Sequence, residues 1–241
     1  MGLPKEKIIA MIPARMGSLR LKMKNLALLD GKPLVYYAVQ AAKDVDVFSR
    51  IIINSENALF EKISNRYEVG FYKRPAELAT SETKSDHVVY DFIKNNSCDV
   101  LVWVNPTSPL QTGEDIRQVV DYFFREELDS LITVKEEQVH CIYKGKPINF
   151  KYDDIFAQTQ DLSPVNPFVY SLMMWRSDIF VRTFEAKGHS FFCGKVGYYP
   201  VGKFSSIIIK KKEDLILAEA LLKLRNSNES YQILYDRIIH E

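Results

Sequence analysis

Asp99-Val-Leu-Val-Trp-Val-Asn105 is an unbroken apolar run with a polar residue at each end. A strand this apolar is expected where helices cover both faces of a sheet. Similar short runs, rich in β-branched residues, recur up to about residue 135 and alternate with segments of helical periodicity. This alternation predicts a three-layer α/β fold, in which a mostly parallel sheet carries helices on both faces.

The individual elements follow from the same pattern. Strands are predicted at Lys7–Pro13, Arg50–Asn54, Val69–Lys73, Asp99–Asn105 and Ser130–Val134. Helices are predicted between them at Leu34–Lys43, Glu56–Tyr67, Ser85–Asn95 and Thr112–Arg125. The first of these helices places five apolar residues on one face, namely Leu34, Tyr37, Ala38, Ala41 and Ala42.

The pattern changes in the second half of the chain. Residues 138–170 contain turn signals and aromatic residues without a clear helix, which is typical of a small β-rich extension that packs on a second subunit. Further elements are predicted at Phe168–Trp175 and Ser205–Ile209 (strands) and at Ser177–Ala186, Glu213–Leu224 and Glu229–Ile239 (helices). No repeat, linker or low-complexity segment interrupts the chain, so residues 1–241 are expected to form a single domain.

Charge and composition limit the classes of partner. The 241 residues include 32 Lys and Arg against 31 Asp and Glu, a formal net charge of +1. This balance provides no overall field that would draw the protein onto nucleic acid or anionic lipid. The first apolar run is too short for a membrane span and lacks a signal-peptide cleavage pattern, so a cytoplasmic location is expected. Neither the three cysteines nor the four histidines have the spacing of a metal site.

A basic loop follows the first predicted strand and reads Pro13-Ala-Arg-Met-Gly-Ser-Leu-Arg-Leu-Lys-Met-Lys-Asn25. Ligands of open α/β sheets bind outside the carboxyl ends of the strands, which is where this loop lies. Gly17 and Ser18 permit backbone N–H groups to approach an oxyanion, and the four cations of the loop would neutralise a polyphosphate. The loop is neither a Walker A motif nor GxGxxG, and a solvated basic loop is the alternative interpretation.

Three blocks of sequence carry a family resemblance. Ile12-Pro-Ala-Arg-Met-Gly-Ser18, with Lys24-Asn25 and Gly31-Lys-Pro-Leu34 after it, resembles the N-terminal signature of the acylneuraminate cytidylyltransferases. Arg74-Pro-Ala-Glu-Leu-Ala79 and Asn105-Pro-Thr-Ser-Pro-Leu110 resemble two further blocks of that family, at the expected intervals. The family includes CMP-sialic acid synthetases, with CMP-KDO synthetases as more distant kin. The resemblance implies a Rossmann-like nucleotidyltransferase fold, and it is strong to about residue 135 and weaker beyond.

The resemblance also implies a reaction and a set of site residues. A hydroxyl of the acceptor attacks the α-phosphate of CTP and pyrophosphate leaves, a displacement that depends on positioning and charge stabilisation. By motif position, Arg15 and Lys24 would hold the triphosphate, with contacts from Ala14 and Ser18, and Asn25 would bond a phosphate oxygen. Arg74 would contact the base, although it could instead close the third strand. Asn105 would face the acceptor, although it could instead bond its own turn.

A departure from the family concerns the metal. Relatives carry an Asp-x-Asp pair that binds the divalent cation, and the matching positions here are Ile208 and Lys210. Isoleucine cannot bind Mg²⁺ and lysine repels it. Either Lys210 supplies the positive charge that the metal normally supplies, or Lys210–Lys212 is a solvated turn and catalysis is weak or lost. Mg²⁺ carried by the CTP triphosphate is compatible with both alternatives.

A second departure concerns the acceptor. The arginine with which the family holds the sugar carboxylate is missing from the segment before the strand at Phe168–Trp175. Arg176, Lys151 and Lys146 are alternative cations, and the sequence does not select among them. The sequence therefore predicts a CTP-dependent cytidylyltransferase that acts, as a homodimer, on an acidic sugar such as a nonulosonic acid. The alternatives are a non-sugar acidic acceptor and a catalytically silent homologue that binds nucleotide.

Overall fold

Strands and helices alternate through the chain, of which the computed structural model describes residues 6–18, 20–227, 233–236 and 238. The strands are β1 (Ile8–Pro13), β2 (Leu28–Leu29), β3 (Lys32–Pro33), β4 (Arg50–Ser55), β5 (Gly70–Lys73), β6 (Val100–Val104), β7 (Ser130–Val134), β8 (Ile142–Tyr143), β9 (Lys146–Pro147), β10 (Phe168–Arg176) and β11 (Val196–Pro200). The helices are α1 (Leu34–Lys43), α2 (Ala58–Arg66), α3 (Ser85–Asn95), α4 (Gly113–Arg125), α5 (Ser177–Lys187) and α6 (Lys212–Asn226). Short 3-10 helices occur at Lys24–Leu26, Ala76–Ala79 and Thr159–Asp161.

Seven of the strands form one sheet in the order β11-β7-β10-β6-β1-β4-β5. Strand β10 runs antiparallel to its neighbours β6 and β7, and the other neighbouring pairs are parallel. The mostly parallel sheet predicted from the sequence is thereby confirmed. Because β5, β4, β1 and β6 are parallel, their carboxyl ends meet at one edge of the sheet, and the residues that follow them lie close together.

Two hydrophobic clusters lie on opposite faces of the sheet, and β1 contributes to both. Ile8, Ala10 and Ile12 pack with residues of α1, α2 and α4, whereas Ile9 and Met11 pack with residues of α3 and α5. This alternation explains the unbroken apolar runs of the inner strands, because successive side chains enter different clusters. The helices predicted for both faces are therefore present.

One predicted strand is wrong. Ser205–Ile209 contains no strand, and the chain adds β11 to the sheet instead. The three isoleucines suggested a strand, but buried Ile209 packs in a local cluster with α1 and α6, and its N–H donates to the Thr107 carbonyl at 2.8 Å. Strand β11 escaped prediction because Gly197 and Pro200 weaken its pattern. Gly197 is needed there, since a Cβ at this position would overlap the Leu128 side chain.

The extension at residues 138–170 contains one short hairpin, formed by β8 and β9, and is otherwise mostly irregular. Several of its apolar side chains are exposed, among them Ile155 at 90% and Phe156 at 77%. Most of the helix predicted at Glu229–Ile239 falls outside the described residues. Within the described part of the chain, no helix combines the length and the apolar character needed to cross a membrane.

Candidate active site

A cavity of about 390 Å³ opens at the carboxyl ends of the parallel strands. It is lined by residues of three segments: the basic loop after β1, the segment from Arg74 after β5 to Val88 in α3, and Trp103–Thr107 at the end of β6. Six of the residues assigned by the family resemblance line this cavity, namely Arg15, Ser18, Lys24, Asn25, Arg74 and Asn105. The fold thus brings together residues from all three sequence blocks.

Hydrogen bonds fix the basic loop to the end of β4 and join its two ends. The N–H of Ala14 donates to the Asn54 carbonyl at 2.9 Å, and the N–H of Met16 donates to Glu56 Oε1 at 2.8 Å. Asn25 Nδ2 donates to the Arg15 carbonyl at 3.2 Å, which draws the two ends of the loop together. Ala14 itself is fully buried and does not line the cavity, so its contribution is to hold the loop.

Arg15 crosses from the loop to the opposite wall. Its Nη1 donates to the Thr80 carbonyl at 3.0 Å and lies 3.5 Å from the Ala79 carbonyl. Both partners are neutral carbonyl groups, and no carboxylate of the described residues forms an ion pair with this guanidinium. Its positive charge is therefore available to an anion in the cavity.

Arg74 is nearly buried, at 4% exposure, and is fixed against β4. Its Nε donates to Asn54 Oδ1 and its Nη2 to the Asn54 carbonyl, both at 2.8 Å. Burial lowers the pKa of Arg74 to about 10, an effect that the nearby charge of Glu56 opposes. Arg74 therefore joins two strands at their ends, as the alternative interpretation of the sequence predicted, and it also lines the cavity.

Lys24 is held in the cavity by a residue far along the chain. Its Nζ donates to the Ile209 carbonyl at 3.0 Å, in the irregular segment before α6. Burial, together with the charges of Arg20, Arg15 and Lys210, lowers the pKa of Lys24 to about 8, and the charge of Asp214 opposes this effect. Burial and the neighbouring positive charges thus disfavour the charged form of Lys24, which a bound anion would favour.

Two residues of the cavity lining carry a buried polar atom with no hydrogen-bond partner among the described residues. These atoms are Asn25 Oδ1, an acceptor, and Trp103 Nε1, a donor. An unpaired buried polar atom costs about 1–3 kcal/mol, and such atoms are uncommon in folded proteins. Trp103 was not predicted as a site residue, although it lies in β6 two positions before Asn105, and both residues line the cavity.

The side chain of Asn105 is engaged in holding its own turn. Its Oδ1 accepts hydrogen bonds from the N–H of Thr107 at 3.0 Å and from Thr107 Oγ1 at 2.9 Å. Its Nδ2 donates to the carbonyl of Tyr170, a residue of β10 with φ of 59°. Asn105 therefore positions the turn at the end of β6 against β10, as the alternative interpretation of the sequence predicted, while remaining at the cavity wall.

Lys210 does not line the cavity. Its side chain is exposed, and its backbone N–H donates to Asp214 Oδ2 at 2.7 Å, as does that of Lys211 at 2.8 Å. The Asp214 carboxylate thus lies at the N-terminus of α6, where a negative charge is favourable. Lys210 acts on the cavity through its charge, which lowers the pKa of Lys24.

Arg176, one of the cations considered for the acceptor carboxylate, lies at the opposite edge of the sheet. It pairs with Val100 at the start of β6, and its Nε donates to the Leu128 carbonyl at 3.0 Å. Lys146 and Lys151 are exposed in the extension and do not line the cavity. Arg20 also lines the cavity, although the family resemblance gave it no individual role among the four cations of the basic loop.

The residues of the cavity do not fit a protein-bound divalent metal. Magnesium in proteins is bound through one or two carboxylates, and among the residues that the structure describes no aspartate or glutamate lines the cavity. Among the described residues, no group of three or more His, Cys, Asp or Glu side chains is placed to hold a metal ion. The lining instead carries four cations, Arg15, Arg20, Lys24 and Arg74, an arrangement suited to a polyanion.

An α/β fold with a polycationic cavity beyond the strand ends of its sheet defines a protein with a binding site for an anionic ligand. A family model described as cytidylyltransferase matches residues 9–225. The chain belongs to the cytidylyltransferase family. This membership confirms the predicted class of enzyme, a CTP-dependent nucleotidyltransferase, at the level of the family.

Individual relatives agree with the family match. An N-acylneuraminate cytidylyltransferase of Streptococcus agalactiae serotype III (strain NEM316) is 26% identical over 221 residues, which cover 87% of this chain and 52% of that protein. A post-translational flagellin modification protein B of Campylobacter coli is 26% identical over 239 residues, covering 91% of this chain and 97% of that one. The chain thus spans about half the length of the streptococcal relative. These matches confirm the resemblance seen in the three sequence blocks.

Solved structures show the same fold. A CMP:2-keto-3-deoxy-manno-octonic acid synthetase complexed with CTP superposes with a TM-score of 0.69. The alignment covers 91% of this chain and 99% of that one, at 12% identity. The predicted Rossmann-like nucleotidyltransferase fold is thereby confirmed.

Proposed function

We propose that the chain transfers CMP from CTP to a hydroxyl of an acidic sugar, a nonulosonic acid or a similar acceptor, with release of pyrophosphate. The observation that carries the proposal is the cavity at the strand ends, whose described lining residues include four cations and no carboxylate. A triphosphate is the polyanion that matches this lining, and cytidine is the nucleoside of the family to which the chain belongs.

In this reaction the loop cations position and neutralise the triphosphate. Arg15 and Lys24 lie on the cavity wall without a carboxylate partner, so their charge stabilises the negative charge that grows on the departing pyrophosphate. Ser18 offers a hydroxyl to the phosphates. Asn25 stands beside Arg15 and contributes its amide near the α-phosphate, where the acceptor hydroxyl attacks.

The wall opposite the loop receives the nucleoside. Arg74 is fixed by Asn54 at this wall, which permits it to contact the base without moving. The hydroxyl side chains of Thr80, Ser81 and Thr83 complete the wall. Asn105 positions the turn after β6, which we propose borders the acceptor. Magnesium is proposed to reach the site bound only to the triphosphate.

The class of acceptor rests on the relatives. Printed names among them include N-acylneuraminate cytidylyltransferase and CMP-N,N'-diacetyllegionaminic acid synthase, the latter from Legionella pneumophila at 33% identity over 121 residues. Both names describe acidic sugars, which supports an acceptor that carries a carboxylate.

We also propose a homodimer formed through the extension at residues 138–170. Apolar side chains stand exposed on it, including Ile142 at 59%, Ile148 at 60% and the pair Ile155 and Phe156. Exposed apolar clusters of this kind mark protein interfaces. Light scattering should give twice the chain mass of 27.9 kDa, and Ile155→Glu combined with Phe156→Glu should give the single mass. Ile216→Glu, on exposed α6, is the matched control and should leave the dimer intact.

The test of the transfer is pyrophosphate release from CTP with a panel of acidic sugars. N-acetylneuraminic acid, N,N'-diacetyllegionaminic acid, pseudaminic acid and 3-deoxy-manno-octulosonic acid form the panel, each with Mg²⁺ and with EDTA. We expect release with one of them, and a loss of about 100-fold in Lys24→Gln. Lys62→Gln, an exposed lysine of α2, should retain the activity. Release in the absence of any sugar would contradict the proposal.

A second candidate is a silent homologue that binds CTP without turnover. The lack of a carboxylate in the cavity favours it, since relatives are expected to hold a metal there. Binding of CTP with no pyrophosphate release from any acidic acceptor would support this candidate.

A further inference from the structure

Three cations of the basic loop, Arg15, Arg20 and Lys24, line the cavity. Lys24 Nζ is held there by the Ile209 carbonyl, and the charges of Arg20, Arg15 and Lys210 all act on it. Arg20 is exposed, lines the cavity and has no hydrogen-bond or ion-pair partner in the part of the chain that the structure describes. An arginine without a partner beside another cation is placed to bind an anion rather than to stabilise the loop.

Two carboxylates near this part of the site accept hydrogen bonds from the backbone. Glu56 Oε1 accepts the N–H of Met16, and Asp214 Oδ2 accepts the N–H groups of Lys210 and Lys211. Neither carboxylate lines the cavity. Each serves the fold: Glu56 holds the basic loop, and Asp214 caps α6. A metal ion recruited to either would have to displace these hydrogen bonds.

Neighbouring positive charges act on Lys24. Burial has the largest influence on its pKa, followed by the charge of Arg20 and then that of Arg15, and all three lower it. A divalent cation approaching the same point meets the same repulsion. A free triphosphate is attracted more strongly than its magnesium complex, because the metal cancels part of the negative charge.

We propose that this site binds the CTP triphosphate directly, through Arg15, Lys24 and Arg20, with no metal ion bridging protein and nucleotide. Arg20 is thereby a further triphosphate-binding residue. The inference rests on the proposed function, since it concerns how the same cavity holds CTP. A magnesium ion carried by the nucleotide would then not increase the affinity of the protein for CTP.

The test is the dissociation constant of CTP, measured by titration calorimetry at constant ionic strength in EDTA and in excess Mg²⁺. We expect binding in EDTA to be as tight as in Mg²⁺ or tighter. Arg20→Gln should weaken binding in EDTA by about tenfold, the loss of one charge-assisted hydrogen bond. Arg66→Gln, an exposed arginine of α2, is the matched control and should bind CTP like the unmodified chain.

A third variant restores an acidic pair. Ile208→Asp combined with Lys210→Asp places two carboxylates beside the Ile209 carbonyl and removes one cation, so its CTP binding should become tighter in Mg²⁺ than in EDTA. For the unmodified chain, a tenfold weakening in EDTA would overturn the inference, as would equal affinity of Arg20→Gln and Arg66→Gln. Absence of CTP binding in both conditions would instead refute the proposed function, and the inference with it.

Discussion

We expect CTP binding to depend on pH between about 7 and 9, because the pKa of Lys24 lies near 8. Burial lowers its pKa to about 8, with Arg20, Arg15 and Lys210 contributing in the same direction and Asp214 opposing them. In the free protein Lys24 is therefore charged below pH 8 and neutral above it. A bound triphosphate favours the charged form and raises this pKa again. The complex then holds more protons than the free protein above pH 8, so affinity must fall as pH rises.

The magnitude follows from the free-protein pKa of about 8. Lys24 is about nine-tenths charged at pH 7 and about one-tenth charged at pH 9. If the complex keeps Lys24 protonated, the affinity for CTP falls by about tenfold between these two pH values. The terminal phosphate adds little to this change, because a phosphate monoester completes its second ionisation with a pKa of about 6.

The assay is calorimetric titration of CTP at pH 7, 8 and 9 in EDTA, with two buffers of different ionisation enthalpy at pH 8.5. The buffer dependence of the heat should reveal an uptake of between about half and one proton per CTP bound. Lys24→Arg is the matched control, because arginine keeps its charge throughout this range and should abolish both the uptake and the pH dependence. A constant dissociation constant from pH 7 to pH 9 in the unmodified chain would refute the reasoning.

Three further predictions concern stability, each measured as the free energy of unfolding in urea. Arg74→Met should lose about 2–3 kcal/mol, because it removes two hydrogen bonds and leaves Asn54 Oδ1 without its donor; an unchanged value would contradict the buried contacts. Gln111→Met should gain about 1 kcal/mol, since both polar atoms of this buried amide lack a partner among the described residues; a loss would show that they are satisfied. Gly194→Ala should lose about 2 kcal/mol, because φ is +60° and the new Cβ would overlap the Asp129 carboxylate, and stability equal to the parent would contradict this.

Much of the sheet and its helices could be predicted from periodicity. Helices α1 and α3 begin and end at the predicted residues, and β7 does too. Each of these elements has one or two buried faces, so the spacing of its apolar residues predicts its type and its bounds. Periodicity failed at Ser205–Ile209, where the apolar side chains fill a local cluster instead of a sheet, and at β11, where glycine and proline occupy strand positions.

The site could be predicted only in part, because its contacts join distant segments. The motif at residues 12–18 identified the loop, yet the contact of Arg15 with the Thr80 carbonyl spans 65 positions and that of Lys24 with the Ile209 carbonyl spans 185. No local pattern records such pairs. The same limit explains Arg20, whose importance depends on the lack of a partner, and Trp103, which looked like one more apolar residue of a strand.

The irregular segment before α6 connects these observations. By sequence it occupies the place where relatives are expected to carry metal-binding aspartates, and three lysines at a helix N-terminus are unfavourable there. The Asp214 carboxylate removes that conflict by accepting the N–H groups of Lys210 and Lys211. The segment instead positions a side chain of the cavity. Lys24 Nζ donates a hydrogen bond to the Ile209 carbonyl, and the Ile209 N–H donates to the Thr107 carbonyl. The segment that the family resemblance expected to carry a metal site thus positions a lysine of the cavity in this chain.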